Sequence, residues 1–180
     1  MKTFIALLRG INVGGRCKII MSELISAFIE IGCSEVQTYI QSGNVVFKNG
    51  KIEHTNAFAK AIQEQIKTQW GYDIPVLVIV AQDLQMILEN CPFPDEIMQQ
   101  SYFTLLHKEP KQDLIAQLAK IELANEQIAI ASNCAYVFAP QGYGRAKLNN
   151  NFIERKLQVV ATTRNYKTMH RLIRISKIKN

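Results

Sequence analysis

The sequence predicts an α+β protein of two ferredoxin-like (βαββαβ) halves, with helices packed on antiparallel sheets. Three observations carry this expectation. Apolar runs of strand length alternate with segments whose apolar residues recur at helical spacing. Each half reads strand, helix, strand, strand, helix, strand, the split βαβ order. A stretch with Pro92 and Pro94 separates the two successions. The expected organisation is residues 1–91 as one half, 92–100 as a junction, and 101–180 as the second half with a basic C-terminal helix.

The elements follow in order. Residues 3–8 are an apolar run too short for a stable helix and read as a buried strand. A glycine-rich loop, Arg9-Gly10-Ile11-Asn12-Val13-Gly14-Gly15-Arg16, follows. Leu24, Ile25, Phe28 and Ile29 then recur at helical spacing, with Ser22 as the expected N-cap and Gly32 as the stop. Residues 35–41 and 44–48 read as strands joined by a tight hairpin at Ser42-Gly43, where Gly43 is free to take positive φ. Phe58, Ile62 and Ile66 mark a long helix ending near Trp70-Gly71. Residues 74–80 are expected as a central strand with Pro75 near its start, where a missing N–H is tolerated. Leu84, Ile87, Leu88 and Cys91 make a helix stopped by Pro92.

The second half repeats the order without a residue-level repeat. Residues 101–107 are a strand, and Leu114, Ile115 and Leu118 define a helix. Residues 126–131 and 134–139 are strands joined at Ser132-Asn133. A helix around 148–157, a short extended piece at 159–162 and a helix over 165–177 complete it, with Thr163 or Asn165 as the last cap.

Composition narrows the class. The chain has 180 residues, 48% hydrophobic and 20% charged, which is ordinary for a globular protein able to bury a core unaided. No apolar run reaches the roughly 20 residues that span a bilayer, so no membrane is expected. The five-residue apolar run after Thr3 meets Arg9 with no small-residue cleavage site, so no signal peptide is expected. Net charge is +6, but residues 144–180 alone carry +9 and the remainder −3. Lys167, His170, Arg171, Arg174 and Lys177 share one face of the final helix, opposite Tyr166, Met169, Leu172 and Ile173. Such a basic end attracts polyanions or is simply a solvated face. Cys17, Cys33, Cys91 and Cys134 form no C-x-x-C and pair with no histidine cluster, so no metal site and a reducing, cytoplasmic setting are expected.

Motifs say more about binding than about chemistry. Gly10-x-x-x-x-Gly15 after a strand approximates a phosphate-cradling loop, but Arg16-Cys17 stand where that motif needs Lys and Ser/Thr, so NTPase chemistry is excluded. The loop reads either as a backbone anion nest, helped by Arg9, Arg16 and Lys18, or as a turn that needs glycine for conformation only. In Tyr39-Ile40-Gln41-Ser42-Gly43-Asn44-Val45, topology places Asn44 close to Arg9, because the first and third strands are central in a ferredoxin-like sheet. A basic turn, Gly142-Tyr143-Gly144-Arg145-Ala146-Lys147, and the helix start at Thr162-Thr163-Arg164-Asn165 offer a second anion site. No G-x-S-x-G, H-E-x-x-H or acid/base pair occurs, and no reaction or cofactor is assigned. Cys17, between Arg16 and Lys18, lacks a histidine that sequence places beside it.

With these residues in hand, the chain resembles a bacterial family, domain of unknown function 1697, along essentially its whole length. The resemblance rests on Arg9-Gly10-Ile11-Asn12-Val13-Gly14-Gly15, Tyr39-Ile40-Gln41-Ser42-Gly43-Asn44-Val45, Pro92-Phe93, Gly144-Arg145-Ala146-Lys147-Leu148 and Ala161-Thr162-Thr163-Arg164-Asn165. It implies a cytosolic α+β protein with ferredoxin-like halves and no established reaction. The family usually has Ser where Ala146 stands, often Pro where Ile20 stands and Trp where Tyr166 stands. Signatures rich in Arg, Asn, Gly and Lys serve ligands better than cores. Arg9, Asn12, Lys18, Ser42, Asn44, Lys147 and Arg164 are therefore expected to line a basic cleft between the halves for a small anionic ligand, phosphate-bearing or nucleotide-like. The competing expectations are a nucleic-acid module, with Tyr39 and Phe47 on one open sheet face for base stacking, and a protein-interaction module with an exposed apolar patch.

Overall fold

The computed structural model describes residues 1–121, 123–131 and 133–178. Ser132 of the second expected hairpin and Lys179 of the basic segment lie outside the described residues. Two compact units emerge, each α+β. The first comprises Met1–Gln85 with the C-terminal stretch from Arg171, and the second Met86–His170.

The first unit runs β1 (Lys2–Leu8), α1 (Met21–Glu30), β2 (Ser34–Tyr39), β3 (Asn44–Asn49), α2 (Thr55–Trp70) and β4 (Val76–Val80), and then enters α3 (Ala81–Glu89). Its sheet has the order β2-β3-β1-β4, antiparallel throughout. β1 and β3 are central, and Leu7 pairs with Asn44, which brings the end of β1 to the start of β3. β4, expected to be central, is instead an edge strand paired with β1 alone; its apolar run reflects the burial of Val76, Leu77 and Val78, not a partner on each side.

One face of this sheet presents Phe4, Ala6, Leu8, Val45, Phe47, Val76 and Val78 to Leu24 and Phe28 of α1 and to Ala59, Ile62 and Ile66 of α2. Phe47 is the hub. Its ring lies 5.7 Å from Phe4, 5.3 Å edge-on from Phe28 and 5.8 Å from Phe58. Each such pair contributes about 0.5–1.5 kcal/mol beyond the area it buries. The other face is buried too, with Ile5 and Leu7 at 0% exposure and Val46 at 4%. Burial on both faces is why β1 and β3 read as unbroken apolar runs instead of alternating.

The local stops match the residue chemistry in places. Gly71 ends α2 in the left-handed region, and Gly32 follows α1 at φ +85°. The start of α1 differs from expectation. Ile20, not Ser22, is the N-cap, and no side chain caps this helix. The reason is upstream: Asn12 fixes both backbone groups of Ile19, so the chain turns into the helix one residue later. The φ of −76° at Ile20 suits proline equally well. The β2–β3 connection is also longer than a two-residue turn, because Tyr39 pairs with Asn44 and residues 40–43 form the loop.

The second unit contains the end of α3, the short α4 (Asp95–Met98), β5 (Ser101–Leu106), α5 (Gln112–Ala119), β6 (Gln127–Ala131), β7 (Cys134–Phe138), α6 (Asn150–Leu157), β8 (Ala161–Asn165) and the start of α7 (Tyr166–Ser176). Its sheet order, β6-β7-β5-β8, repeats that of the first. Leu106, Ala135, Val137 and Ala161 face Leu118 of α5 and Ile153 and Leu157 of α6. On the opposite face Tyr136 is buried and donates its hydroxyl to the Ile87 carbonyl of α3 at 3.0 Å. The last strand is Ala161–Asn165, displaced from the expected 159–162. Thr163 therefore lies within the strand, and Asn165 caps α7 by accepting from the Thr168 N–H at 2.8 Å. Along α7, Lys167, His170, Arg171, Arg174 and Lys177 are exposed while Met169, Leu172 and Ile173 are buried, as the periodicity requires.

Gly43 is the glycine that packing as well as conformation demands. Its φ is +74°, and a Cβ there would stand 2.6 Å from the Cβ of Leu8. Gly43→Ala is expected to cost about 1–2 kcal/mol for the left-handed backbone alone. The contact with a central strand adds to that, so the melting temperature should fall by at least roughly 4 °C. An unchanged melting temperature would contradict this packing.

Candidate functional site

The glycine-rich segment folds as a small hairpin of its own. Asn12 N–H donates to the Cys17 carbonyl and Arg16 N–H to Val13, with Val13 and Arg16 bridged. Gly14 and Gly15, at φ +58° and +75°, are the two central residues, which is a type I′ turn. The structure thus decides between the two expectations for this loop. Two successive left-handed residues form a turn rather than a nest.

Asn12 anchors the hairpin. Its Nδ2 donates to the carbonyls of Ile19 and Gln41, both at 2.9 Å, and its Oδ1 accepts from Ile19 N–H at 2.9 Å. One side chain therefore joins the loop, the approach to α1 and the β2–β3 connection. Its own φ of +54° is one that asparagine tolerates better than most residues. Asn44, fully buried, does the equivalent work inside the connection, donating to the Tyr39 carbonyl and the Ser42 hydroxyl. Asn12, Ser42 and Asn44 are thus committed to backbone geometry.

The first unit gathers Arg9, Asn12, Lys18, Ser42 and Asn44 at one end of its sheet. Arg9 follows Leu8, whose N–H bonds Gly43, and its own N–H donates to the Pro75 carbonyl. Arg16 and Lys18 are exposed. A cavity of about 390 Å³ opens here, lined by Asn12, Lys18, Ile19, Ile20 and Gln41 among others. The uncapped start of α1 faces onto it through Ile20 and Met21. Glu23, the acid of the first turn, accepts from Trp70 Nε1 at 3.3 Å. Tyr39 carries the guanidinium of Arg171 6.0 Å above its ring.

Lys147 and Arg164 belong to the second unit. The Lys147 amine is exposed, but its backbone N–H and that of Leu148 both donate to the Glu126 carboxylate at 2.8 Å. The backbone anion site of that turn is therefore filled by the protein's own carboxylate. Arg164 pairs with Phe103, and its guanidinium donates to the Thr163 carbonyl at 2.9 Å. Although its surface exposure is intermediate, burial of the guanidinium pulls its pKa down to about 10. Ala146, where the family usually has Ser, is 6% exposed and packs in the core of this unit.

A polar cluster that sequence reasoning missed underlies the Thr-Thr-Arg-Asn signature. The Thr163 hydroxyl lies 2.8 Å from Tyr143 Oη, 2.9 Å from Thr104 Oγ1 and 2.8 Å from Asn150 Oδ1. It ties β5, β8, the start of α6 and the turn at Tyr143 together. Thr162 bonds His107 on the alternate face at 3.0 Å. The signal in sequence was the pair of threonines itself, β-formers where a helix start was read.

Three of the four thiols, Cys33, Cys91 and Cys134, are poorly disposed to act as nucleophiles. Burial pushes Cys33 up to about 11, against a weaker opposing effect from its hydrogen bond with Asn49, and raises Cys91 and Cys134 as well. Among the described residues no group of three or more His, Cys, Asp or Glu side chains is placed to hold a metal ion. No helix of the described residues is long and apolar enough to cross a membrane.

With this geometry in place, the comparisons identify its class. The profile of the family described as protein of unknown function (DUF1697) matches residues 1–136, and the chain belongs to that family. A conserved bacterial protein of Streptococcus pneumoniae shares the fold, at 23% identity and a TM-score of 0.75 over 98% of this chain and 99% of that one. No curated protein matches the sequence.

Two outcomes follow. Asn12→Ala removes three hydrogen bonds and places alanine in the left-handed region, so it is expected to cost about 2–3 kcal/mol and lower the melting temperature by roughly 4–12 °C. Asn12→Gly, which keeps the φ, should cost less, and equal stabilities of all three proteins would contradict the anchor. The Cys33 thiol stays neutral in the folded protein until well above its ordinary range. Its contribution is intact below about pH 9 and lost as pH rises towards about 11. Thermal unfolding of the native protein should therefore weaken more steeply over that interval than that of Cys33→Ala. Coincident alkaline profiles would oppose the assignment.

Proposed function

We propose that the protein binds a small anionic ligand, phosphate-bearing or nucleotide-like, at the loop end of its first unit. The observation that carries the reading is the cavity of about 390 Å³ onto which the uncapped start of α1 opens beside the Lys18 amine. The first N–H groups of a ten-residue helix have no intrahelical acceptor, and the helix end carries partial positive charge. Lys18 supplies a full charge on the same wall. Asn12 holds these parts in one arrangement before any ligand arrives, which lowers the ordering cost of binding. The site drawn here uses residues of the first unit; Lys147 and Arg164 belong to the second.

A second reading, a protein-interaction surface, is favoured by one specific observation. Val13, Ile20 and Ile40 are 63%, 62% and 54% exposed on the hairpin tip, the approach to α1 and the β2–β3 connection, which Asn12 joins. Base stacking on an open sheet face has less support, since Phe47 is fully buried and the opposite face holds Ile5, Leu7 and Val46.

The test is a thermal-shift titration with inorganic phosphate, pyrophosphate, mononucleotides and short RNA at two salt concentrations. A ligand at about 100 times its Kd stabilises by about 2.7 kcal/mol, or roughly 5–10 °C. The expected result is a shift with a small phosphate compound that Lys18→Ala abolishes. A shift with RNA alone, lost at higher salt, would point instead to nucleic acid. No shift with any of them would overturn the reading in favour of the interaction surface.

A further inference from the structure

The first unit carries a second and larger concavity at the opposite end of its sheet. β1 leads from that end to the glycine loop, and β3 runs back to it, finishing at Asn49. The cavity has a volume of about 860 Å³, within the range of small-molecule sites. Its walls are Ile31, Ile52, Ala57, Phe58 and Ala61. Ile31, Ile52 and Phe58 are only partly buried although they pack on the core, and the Phe58 ring stacks on Phe47 at 5.8 Å. Apolar area therefore stays open to solvent directly above the aromatic hub.

The polar groups of this cavity separate into two kinds. Ser34 and Asn49 are engaged: Ser34 Oγ donates to the Lys48 carbonyl, Asn49 Nδ2 donates to the Gly32 carbonyl, and Asn49 Oδ1 accepts from Lys51 N–H. Lys51, Glu53 and His54, by contrast, stand exposed at the mouth, and none forms an ion pair among the described residues. Two nitrogen bases and one carboxylate occupy this rim. The sixteen-residue helix α2 begins there with no side-chain cap from His54 and no acid in its first turn, so its positive end adds to the Lys51 charge, with Glu53 the one opposing charge on the rim. An apolar interior with a positively biased mouth complements a molecule that is apolar along its body and anionic at one end.

We propose that this cavity binds a small apolar monocarboxylic acid, with its body against Ile31, Ile52, Phe58 and Ala61 and its carboxylate at Lys51 and His54. The site is separate from the loop end and stands or falls independently of it.

The test follows the side-chain methyl signals of Ile31 and Ile52 by NMR while octanoate, octanol or acetate is added to the intact protein. Octanoate is expected to shift these methyls saturably, octanol more weakly, and acetate not at all. Ala57→Trp fills the cavity from an exposed position and should weaken octanoate at least about tenfold. Replacing both Lys51 and His54 by alanine should weaken octanoate at least about fivefold and leave octanol unchanged. Absence of saturable shifts would overturn the proposal. So would octanoate binding that Ala57→Trp leaves intact, or octanol binding as tightly as octanoate.

Discussion

The hydrogen bonds of the Asn12 side chain are the constraint on which the loop end of this protein depends. A segment with Gly10, Asn12, Gly14, Gly15 and Cys17 all at positive φ has little intrinsic preference for one conformation, and glycine raises the entropy lost on ordering it. Asn12 supplies what the local backbone lacks. It satisfies both backbone groups of Ile19 and one carbonyl of the β2–β3 connection, 29 residues away in sequence. The start of α1 is fixed as a consequence, and with it the direction of the uncapped helix end and the place of Lys18.

Beneath that end lies a conventional energetic foundation. Phe47 meets three other aromatic rings on the helix-covered face, and the two central strands are buried on both faces. Gly43 must approach Leu8 so closely that only hydrogen fits between them. The core thus holds the hairpin connection, the connection holds Asn12, and Asn12 holds the glycine loop. A surface built this way is held in one arrangement by hydrogen bonds without being buried. The second unit uses a different device for its turn at 143–148, where the Thr163 hydroxyl and the Glu126 carboxylate do the holding.

Much of this architecture is written in local pattern. The spacing of Phe28 in α1 and of Ile62 and Ile66 in α2, and the glycine after each helix, place the helices correctly. The ferredoxin-like order makes β1 and β3 central, and the proximity of Arg9 to Asn44 follows from that topology and is realised in the Leu7–Asn44 pairing. An apolar run alone does not tell centre from edge, since β4, apolar at every position, is an edge. What local pattern does not carry are the long-range partners. Glycines serve turns and anion nests alike; here Val13 pairs with Arg16 across Gly14 and Gly15 to make a turn, and the bond from Asn12 to Gln41 ties that turn to a distant connection. Thr162-Thr163-Arg164 is polar enough to pass for a helix start, and only pairing with Phe103, Thr104 and Leu105 makes it a strand. Lys147 advertises a cation, whereas its backbone already holds Glu126, 21 residues upstream.

The central claim is that a preformed, positively charged cavity at the loop end receives an anion. The most direct measurement is a backbone-amide NMR titration of the native protein with pyrophosphate. Saturable changes confined to Asn12, the amides from Gly15 to Glu23 and Gln41 are the result this account requires. Changes centred on Arg145 and Lys147, or none at all, would contradict it.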